Sequence, residues 1–271
     1  MRRTSQSSLD AVTATFEPVL RAAGAEAATL GEQLFTVVDA LDASSSLRRA
    51  LSDPARDGEA KAALVAQLLG GRADERVVDV VSGLARGRWS SEDDLADAVE
   101  RVAADSVLAG AQNAGELERV EEELFRVVRL LAGERELRQG LADRQASPEA
   151  RAQLARSVFG ASLHPATVQL VERAAYAPRG RSIVASLTEL LRLVAARRQK
   201  LVAAVTAAQP LSKAQQARLA NLLEAAYGRS VQLNISVDPG VVGGLRIEIG
   251  SDVVNATVLA RLEDVRRRLA G

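Results

Sequence analysis

Two ten-residue stretches share one pattern, EQLFTVVDAL at residues 32–41 and EELFRVVRLL at residues 122–131. In both, Leu, Phe and Val recur at the three- and four-residue spacing of an amphipathic helix. The match continues without a gap over residues 32–85 and 122–175, with 18 identities in 54 positions. Periodicity alone does not keep one register for so long, so the sequence predicts a repeat at an offset of 90 residues. Coincidental helical periodicity is the alternative interpretation.

Short amphipathic helices are predicted throughout residues 1–200, because apolar stripes alternate there with turn signals. The turn signals are Asp53-Pro54, Gly70-Gly71 and Gly87. Short helices with short connections are typical of a helical bundle. The repeat divides this region into two copies, residues 1–110 and 111–200, and the small, polar segment Gly110–Gly115 is the predicted joint.

The pattern changes after residue 200, where alternation of apolar residues at period two predicts strands. The alternating runs are residues 201–207, 231–237 and 245–249. The last two are expected to be adjacent strands, because a Pro/Gly-rich connection at residues 238–244 joins them. A helix is predicted from an N-cap at Ser212 to Gly228, and a final amphipathic helix over residues 258–269. The third domain is therefore a small α+β unit at residues 201–271.

Composition argues against several classes of protein. Lys and Arg together number 35, as do Asp and Glu, and this zero net charge weakens a nucleic-acid-binding interpretation. There is no cysteine and only one histidine, His164, which excludes disulfides, thiol catalysis and Cys- or multi-His metal sites. The sequence has no apolar run of the length of a membrane span and no signal-peptide core. A soluble, cytoplasmic protein is expected, one that can still attach to a membrane complex.

No catalytic, cofactor-binding or metal-binding residue is predicted, because the phosphate-loop, dinucleotide and nucleophile-elbow motifs are all missing. We interpret His164 as a polar turn residue rather than a lone base, and Trp89 as a packing residue rather than a partner anchor. Two Arg-Gly-Arg stretches remain open between basic partner contacts and helix–helix turns in which glycine relaxes the backbone. They contain Gly87 and Arg88, and Gly180 and Arg181. Gly243 and Gly244 are expected to adopt conformations closed to other residues.

The C-terminal third resembles the delta subunit of F-type ATP synthases, the family of the oligomycin-sensitivity-conferring protein. The resemblance rests on TAAQPL at residues 206–211 and VQLNISVDPGVVGGLRIEIG at residues 231–250. Its signature positions include Asp238, Gly243, Gly244 and Gly250. Each helical copy also resembles the N-terminal six-helix bundle of that family. The matching landmarks are Leu51, Asp53-Pro54, Lys61 and Gly87-Arg88 in the first copy, and Leu141 and Gly180-Arg181 in the second.

The resemblance implies two tandem six-helix bundles followed by a small α+β domain, a long form similar to that of actinobacteria. It also implies a non-catalytic stator subunit without cofactors. The bundles would bind N-terminal segments of alpha subunits and the last domain the b-type peripheral stalk. The subunit would lie at the cytoplasmic face of the cell membrane, attached only through the complex. This chain departs from the family pattern at Arg144, Arg151 and Ser251. A helical adaptor unrelated to ATP synthase is the alternative, and an enzyme with an unrecognised site the third possibility.

Overall fold

The structure, a computed structural model, describes residues 2–198, 201–227, 231–238, 244–249 and 252–255. The chain divides into two compact units, residues 1–194 and 195–271. A mostly helical chain that ends in a small α+β unit is confirmed. The helices before the first strand are α1 (Arg3–Ala22), α2 (Ala27–Ala43), α3 (Ser45–Ser52), α4 (Gly58–Leu69), α5 (Glu75–Arg86), α6 (Glu92–Asn113), α7 (Leu117–Gly133), α8 (Arg135–Leu141), α9 (Pro148–Phe159), α10 (Pro165–Tyr176) and α11 (Ile183–Arg198).

The ends of the helices follow local chemistry. Side-chain oxygens accept hydrogen bonds from otherwise unpaired backbone N–H groups where α3, α4, α6 and α9 begin. The capping residues are Ser44, Asp57, Ser91 and Ser147. The predicted turn signals are confirmed, because α3, α4 and α5 end directly before Asp53-Pro54, Gly70-Gly71 and Gly87.

The helices repeat at the offset that the sequence shows. The bounds of α7, α9 and α10 lie 90 residues after those of α2, α4 and α5. Hydrogen bonds repeat as well: Arg48 donates to the carbonyl of Leu41 at 2.8 Å, and Arg138 donates to that of Leu131 at 2.6 Å. We refer to α2–α5 as the first set and to α7–α10 as the second set. A division into bundles at residues 1–110 and 111–200 stays a prediction.

Helix α6 lies between the two sets in the chain, and it also takes part in the repeat. The 90-residue offset places α1 on residues 93–112, inside α6. Buried residues occur on all sides of α6, as expected for a helix packed against neighbours all round. The joint predicted near Gly110–Gly115 is wrong for residues 110–113, because α6 continues to Asn113. Gly110 is needed for packing: a Cβ there would lie 2.9 Å from the backbone nitrogen of Ala28 in α2.

The second unit contains a four-stranded sheet in the order β2-β1-β3-β4. Its elements are β1 (Leu201–Ala207), α12 (Lys213–Tyr227), β2 (Val231–Val237), β3 (Leu245–Ile249) and β4 (Asp252–Asn255). Strand β1 pairs in parallel with β2 and antiparallel with β3, which in turn pairs antiparallel with β4. The expectation that β2 and β3 are adjacent is wrong. Ala203, Val205 and Ala207 of β1 are at most 1% exposed, and this apolar strand takes the central position between them.

Among the described residues of the second unit, a hydrophobic core is formed by Ala203, Val205, Leu223, Val231 and Ile247. The N-terminus of α12 has the reciprocal pair of bonds of a capping box, as the predicted N-cap requires. The Gln215 N–H donates to the Ser212 hydroxyl at 3.3 Å, and the Ser212 N–H donates to the Gln215 side chain at 2.9 Å. Strand β4 was not predicted, while Gly228 and the predicted helix at residues 258–269 lie outside the described residues.

Candidate functional site

The turn after α5 contains Gly87 and Arg88. The Ser8 hydroxyl of α1 donates to the Arg88 carbonyl at 3.0 Å and accepts from the Arg88 N–H at 3.1 Å. Gly87 has φ −63°, which any residue adopts, so backbone freedom is not what requires glycine here. Instead, a Cβ would lie 3.1 Å from the Ser8 Cβ and 3.2 Å from the buried Trp89 ring. The ammonium of Lys61 in α4 donates to the Gly87 carbonyl at 3.1 Å. Side chains of α1 and α4 therefore hold the backbone of this turn in place.

The turn between α10 and α11 contains Gly180 and Arg181, and it differs from its counterpart. Here the glycine does relax the backbone, because Arg179 has φ 48° and Gly180 has φ 75°. Arg181 Nη2 lies 3.7 Å from carboxylate oxygens of both Asp97 and Glu100 on α6. The second Arg-Gly-Arg stretch therefore makes contacts to acids of its own chain.

Arg179 is the most highly paired cation of this turn, and its side chain is only 11% exposed. Its Nη2 lies 3.0 Å from Asp97 Oδ1, and its Nε lies 3.1 Å from Glu100 Oε2. A third acid, Asp42 of α2, accepts a hydrogen bond from its Nη1. The arginine therefore connects α6 and α2 to the turn that follows α10.

Arg173 of α10 is buried beside these groups, with 9% of its side chain exposed. Its Nη1 donates to Asp39 Oδ1 of α2 at 2.6 Å. Its Nε lies 3.4 Å from Glu100 Oε1, within ion-pair range but without hydrogen-bond geometry. The guanidinium carbon lies 4.8 Å from the centre of the Phe35 ring and 5.6 Å from that of Tyr176, distances at which cation–π attraction is significant.

We call this group of side chains the arginine network. It consists of Asp39, Asp42, Asp97, Glu100, Arg173, Arg179 and Arg181. All its acids lie on α2 and α6, and all its bases lie on α10 and the turn after it. Burial raises the pKa of the Glu100 carboxyl, and this effect exceeds the opposing effect of Arg173, Arg179 and Arg181.

The network was not found by sequence reasoning, although the repeat contains a signal for it. Ninety residues from Arg173 the first set has Gly83, and ninety residues from Asp39 the second set has Arg129. Helical periodicity alone does not distinguish between such positions. A change of charge at equivalent positions of two otherwise similar copies marks the surface where the copies differ in their neighbours.

His164 has the structural role that its turn position predicts. It caps α10, and its backbone N–H donates to the buried Glu123 carboxylate at 2.8 Å. Thr167 also donates to Glu123, at 2.7 Å. The first set has the same arrangement with an amide, because the Asp74 N–H donates to the Gln33 side chain at 2.8 Å. A side chain from the first long helix of each set therefore secures the start of that set's last helix.

Two predicted residues of the C-terminal unit, Asp238 and Gly244, lie between β2 and β3. The Asp238 N–H donates to the carbonyl of Ala207 at 2.9 Å, which extends the pairing of β1 and β2 by one bond. Gly244 has φ +95°, a conformation that favours glycine, directly before β3. Gly243 and Gly250 lie outside the described residues.

Two cavities of the first unit are lined by α10. One, of about 480 Å³, is formed with α6 and α11, and the other, of about 820 Å³, is formed with α2, α6 and α9. Phe35 and Arg173 line both. Within the described ranges, His, Asp and Glu side chains form no group of three or more that could hold a metal ion. The described helices include none whose length and apolar character would allow it to cross a membrane.

Comparison with known proteins gives consistent matches. The family model for the ATP synthase delta (OSCP) subunit matches residues 99–269, a stretch that begins within α6. The ATP synthase subunit delta of Beutenbergia cavernae is 53% identical over 271 residues, covering 100% of both chains. That of Streptomyces griseus is 43% identical over 271 residues, also covering 100% of both chains. That of Kineococcus radiotolerans is 45% identical over 267 residues, covering 98% of this chain and 97% of its own.

Proposed function

Because this chain belongs to the ATP synthase delta (OSCP) subunit family, we propose that it is a non-catalytic stator subunit of an F-type ATP synthase. It links the catalytic head, through the N-terminal segments of alpha subunits, to the b-type subunits of the peripheral stalk. The link keeps the head from turning with the rotor, so that proton-driven rotation is coupled to ATP synthesis. The observation that carries this proposal is the similarity to delta subunits over the whole length of the chain.

The two units of the chain take different partners in this proposal. The helical bundles, residues 1–110 and 111–200, bind the alpha-subunit segments, since grooves between helices accept the apolar face of an amphipathic partner helix. The α+β domain, residues 201–271, binds the b-type stalk. In that domain Asp238, Gly243, Gly244 and Gly250 are structural residues that shape the connection between strands, rather than contact residues.

The proposed location is the cytoplasmic face of the cell membrane, where the complex holds the subunit in a peripheral position. The role requires no cofactor, no metal and no nucleic acid. It is also consistent with the chemistry of the arginine network, whose three guanidinium groups all face carboxylates of the same chain. Arginines that are paired with acids of their own chain suit a structural connection rather than a site that turns over substrate.

Copurification tests the proposal directly. The full chain, tagged at its C-terminus and expressed in its own host, is expected to retain alpha and b-type subunits. Depletion of the chain is expected to leave ATP hydrolysis by the released head intact while proton pumping driven by ATP is lost. A complex that assembles and pumps without the chain would contradict the proposal. Retrieval of other proteins in place of ATP synthase subunits would support the unrelated helical adaptor.

The non-catalytic part of the proposal has its own test. Titration of the isolated chain with ATP and magnesium in a calorimeter is expected to give no saturable heat of binding, since the sequence has no phosphate-binding loop. An isolated catalytic head serves as the positive control. Saturable binding at micromolar ATP, or ATP hydrolysis by the chain alone, would contradict this part of the proposal while leaving the copurification result unaffected.

A further inference from the structure

The arginine network makes contacts that neither set of helices can make by itself. Its hydrogen bond from Arg173 to Asp39 joins residues 134 positions apart, and that from Arg179 to Asp42 joins residues 137 positions apart. Both bonds connect α2, in the first set, to α10 or the turn after it. The backbone joins the sets only through α6 and the turn at residues 114–116, so the network is a second, non-covalent connection.

The network occurs once, although the helices occur twice. At the offset of 90 residues, Arg173 corresponds to Gly83, Asp39 to Arg129 and Asp42 to Ala132. The exposure of the aromatic ring beside it differs in the same way: Phe35 is 7% exposed, and its counterpart Phe125 is 53% exposed. Where the two sets meet, they therefore carry different charges at equivalent positions. The interface between the sets is asymmetric as a result.

The contribution of such a network to stability depends on how deeply its side chains are buried. The side chains of Arg173, Arg179 and Glu100 at the centre of the network are 9%, 11% and 16% exposed. The aspartates around them are partly exposed: Asp39 at 38%, Asp42 at 37% and Asp97 at 36%. Removing ions from water has an energetic cost that ion pairing often only balances, so a buried network adds little net stability. It does penalise every arrangement in which one charge loses its partner, because an unpaired buried charge is strongly unfavourable. Such a network selects one orientation of the helices that carry it.

We propose that the arginine network is a clamp that fixes the second set against α2 and α6, so that residues 2–194 act as one rigid arm without a hinge at residues 114–116. Arg173 is the central positioning residue: like Arg179 it contacts an acid on each of α2 and α6, and its guanidinium also lies over the Phe35 ring. This inference goes beyond the stator function and does not depend on it, because the rigidity belongs to the isolated chain.

Distance measurement between the sets tests the clamp. The chain has no cysteine, so spin labels can be attached at two introduced cysteines, Gln67→Cys and Ser157→Cys, in the otherwise unchanged full chain. Both positions are exposed, and they are equivalent positions of α4 and α9. Double electron–electron resonance is expected to give a single narrow distance distribution.

Variants of the network then separate a clamp from ordinary packing. Arg173→Met and Arg179→Met together are expected to replace the narrow distribution by a broad one or by two distances, with helical circular dichroism retained. Asp39→Asn is a milder variant, and it is also expected to broaden the distribution. It serves as the test if the double variant does not fold. Arg86→Met is the matched control, because this exposed arginine pairs with Glu59 inside the first set, at 2.8 Å.

Opposite results would overturn the clamp. A broad distribution in the unsubstituted chain would show a hinge between the sets. A narrow distribution that persists in Asp39→Asn, and in the folded double methionine variant, would show that apolar packing and α6 alone set the orientation. Restoration of the narrow distance by the charge exchange Asp39→Arg with Arg173→Asp would support the clamp further. These outcomes are the same whether or not the chain copurifies with ATP synthase.

Discussion

Glu123 is a carboxylate that is only 2% exposed, and its surroundings favour the charged form. Burial raises the pKa of Glu123, but hydrogen bonds from Thr167, His164 and Arg119 outweigh burial and hold the pKa below its usual value. An unfolded Glu has a pKa of about 4.3. Since the folded value is lower, the carboxylate's contribution to stability is complete above that pH. It is lost as the pH falls through the folded value.

We expect Glu123→Gln to reduce the free energy of unfolding by about 1–3 kcal/mol near neutral pH, because an amide oxygen is a weaker acceptor for three donors. The difference from the unsubstituted chain is expected to shrink below about pH 4.3, where the wild-type carboxylate also becomes protonated. Urea unfolding at several pH values measures this difference. Asp74, whose pKa hydrogen bonds from Arg76 lower to about 2, titrates in both proteins and cancels.

Glu122→Gln is the control, since it removes an exposed carboxylate from the same helix, α7. It is expected to change the free energy of unfolding by less than about 0.5 kcal/mol at either pH. Equal losses for the two variants, or a Glu123 difference that grows in acid, would show that the three hydrogen bonds do not favour the charged form.

At the scale of elements, the crossing of α2 and α6 depends on glycine. A Cβ at Gly31 would lie 2.6 Å from Val107 Cγ2 and 2.8 Å from the Ala103 carbonyl oxygen, both on α6. Cβ atoms in real proteins essentially never come this close to other non-bonded heavy atoms, and the carbonyl is backbone, so the helices would have to move apart. Gly31 and Gly110 together allow the backbones of α2 and α6 to approach this closely.

Gly31→Ala is therefore expected to destabilise the first unit by about 1–3 kcal/mol through overpacking, despite the better helix propensity of alanine. Gly133→Ala makes the same chemical change in α7 at a position with no atom within 4 Å. It is expected to leave stability unchanged or raise it by up to about 1 kcal/mol. Thermal unfolding of both variants measures these changes in stability. Equal changes would mean that α2 and α6 can move apart without loss of stability.

Several helix ends follow from local chemistry, which is why they could be predicted. The cap at Ser212 and breaks such as Asp53-Pro54 act over a few residues. The continuation of α6 through Gly110 could not be predicted, because the reason for it is contact with α2, far along the chain. The central place of β1 and the arginine network depend in the same way on pairing between distant segments, about which periodicity says nothing.

At the scale of the whole molecule, the two units can be followed separately. Trp89 is the single tryptophan of the chain, and it is buried in the first unit with its indole N–H donating to the Leu84 carbonyl at 2.9 Å. Its fluorescence therefore reports the first unit alone. Amide hydrogen exchange of peptides from residues 201–249 reports the second unit. Together the two probes test whether a local change in one unit remains confined to it.

Gly244→Val is expected to unfold part of the second unit while the first keeps its stability. Valine is strained at φ +95°, by about 1–3 kcal/mol, a large share of the stability that a domain of about 70 residues can lose. Peptides of β1 and β3 should then exchange faster, binding of a b-subunit stalk peptide should weaken, and the Trp89 transition in urea should not move.

Gly71→Val is the reciprocal control, because Gly71 has φ +70° in the first unit. It should shift the Trp89 transition and spare the sheet. Unchanged exchange and peptide binding in Gly244→Val would mean that the connection before β3 relaxes to accept any residue, and that its glycine is not a conformational requirement.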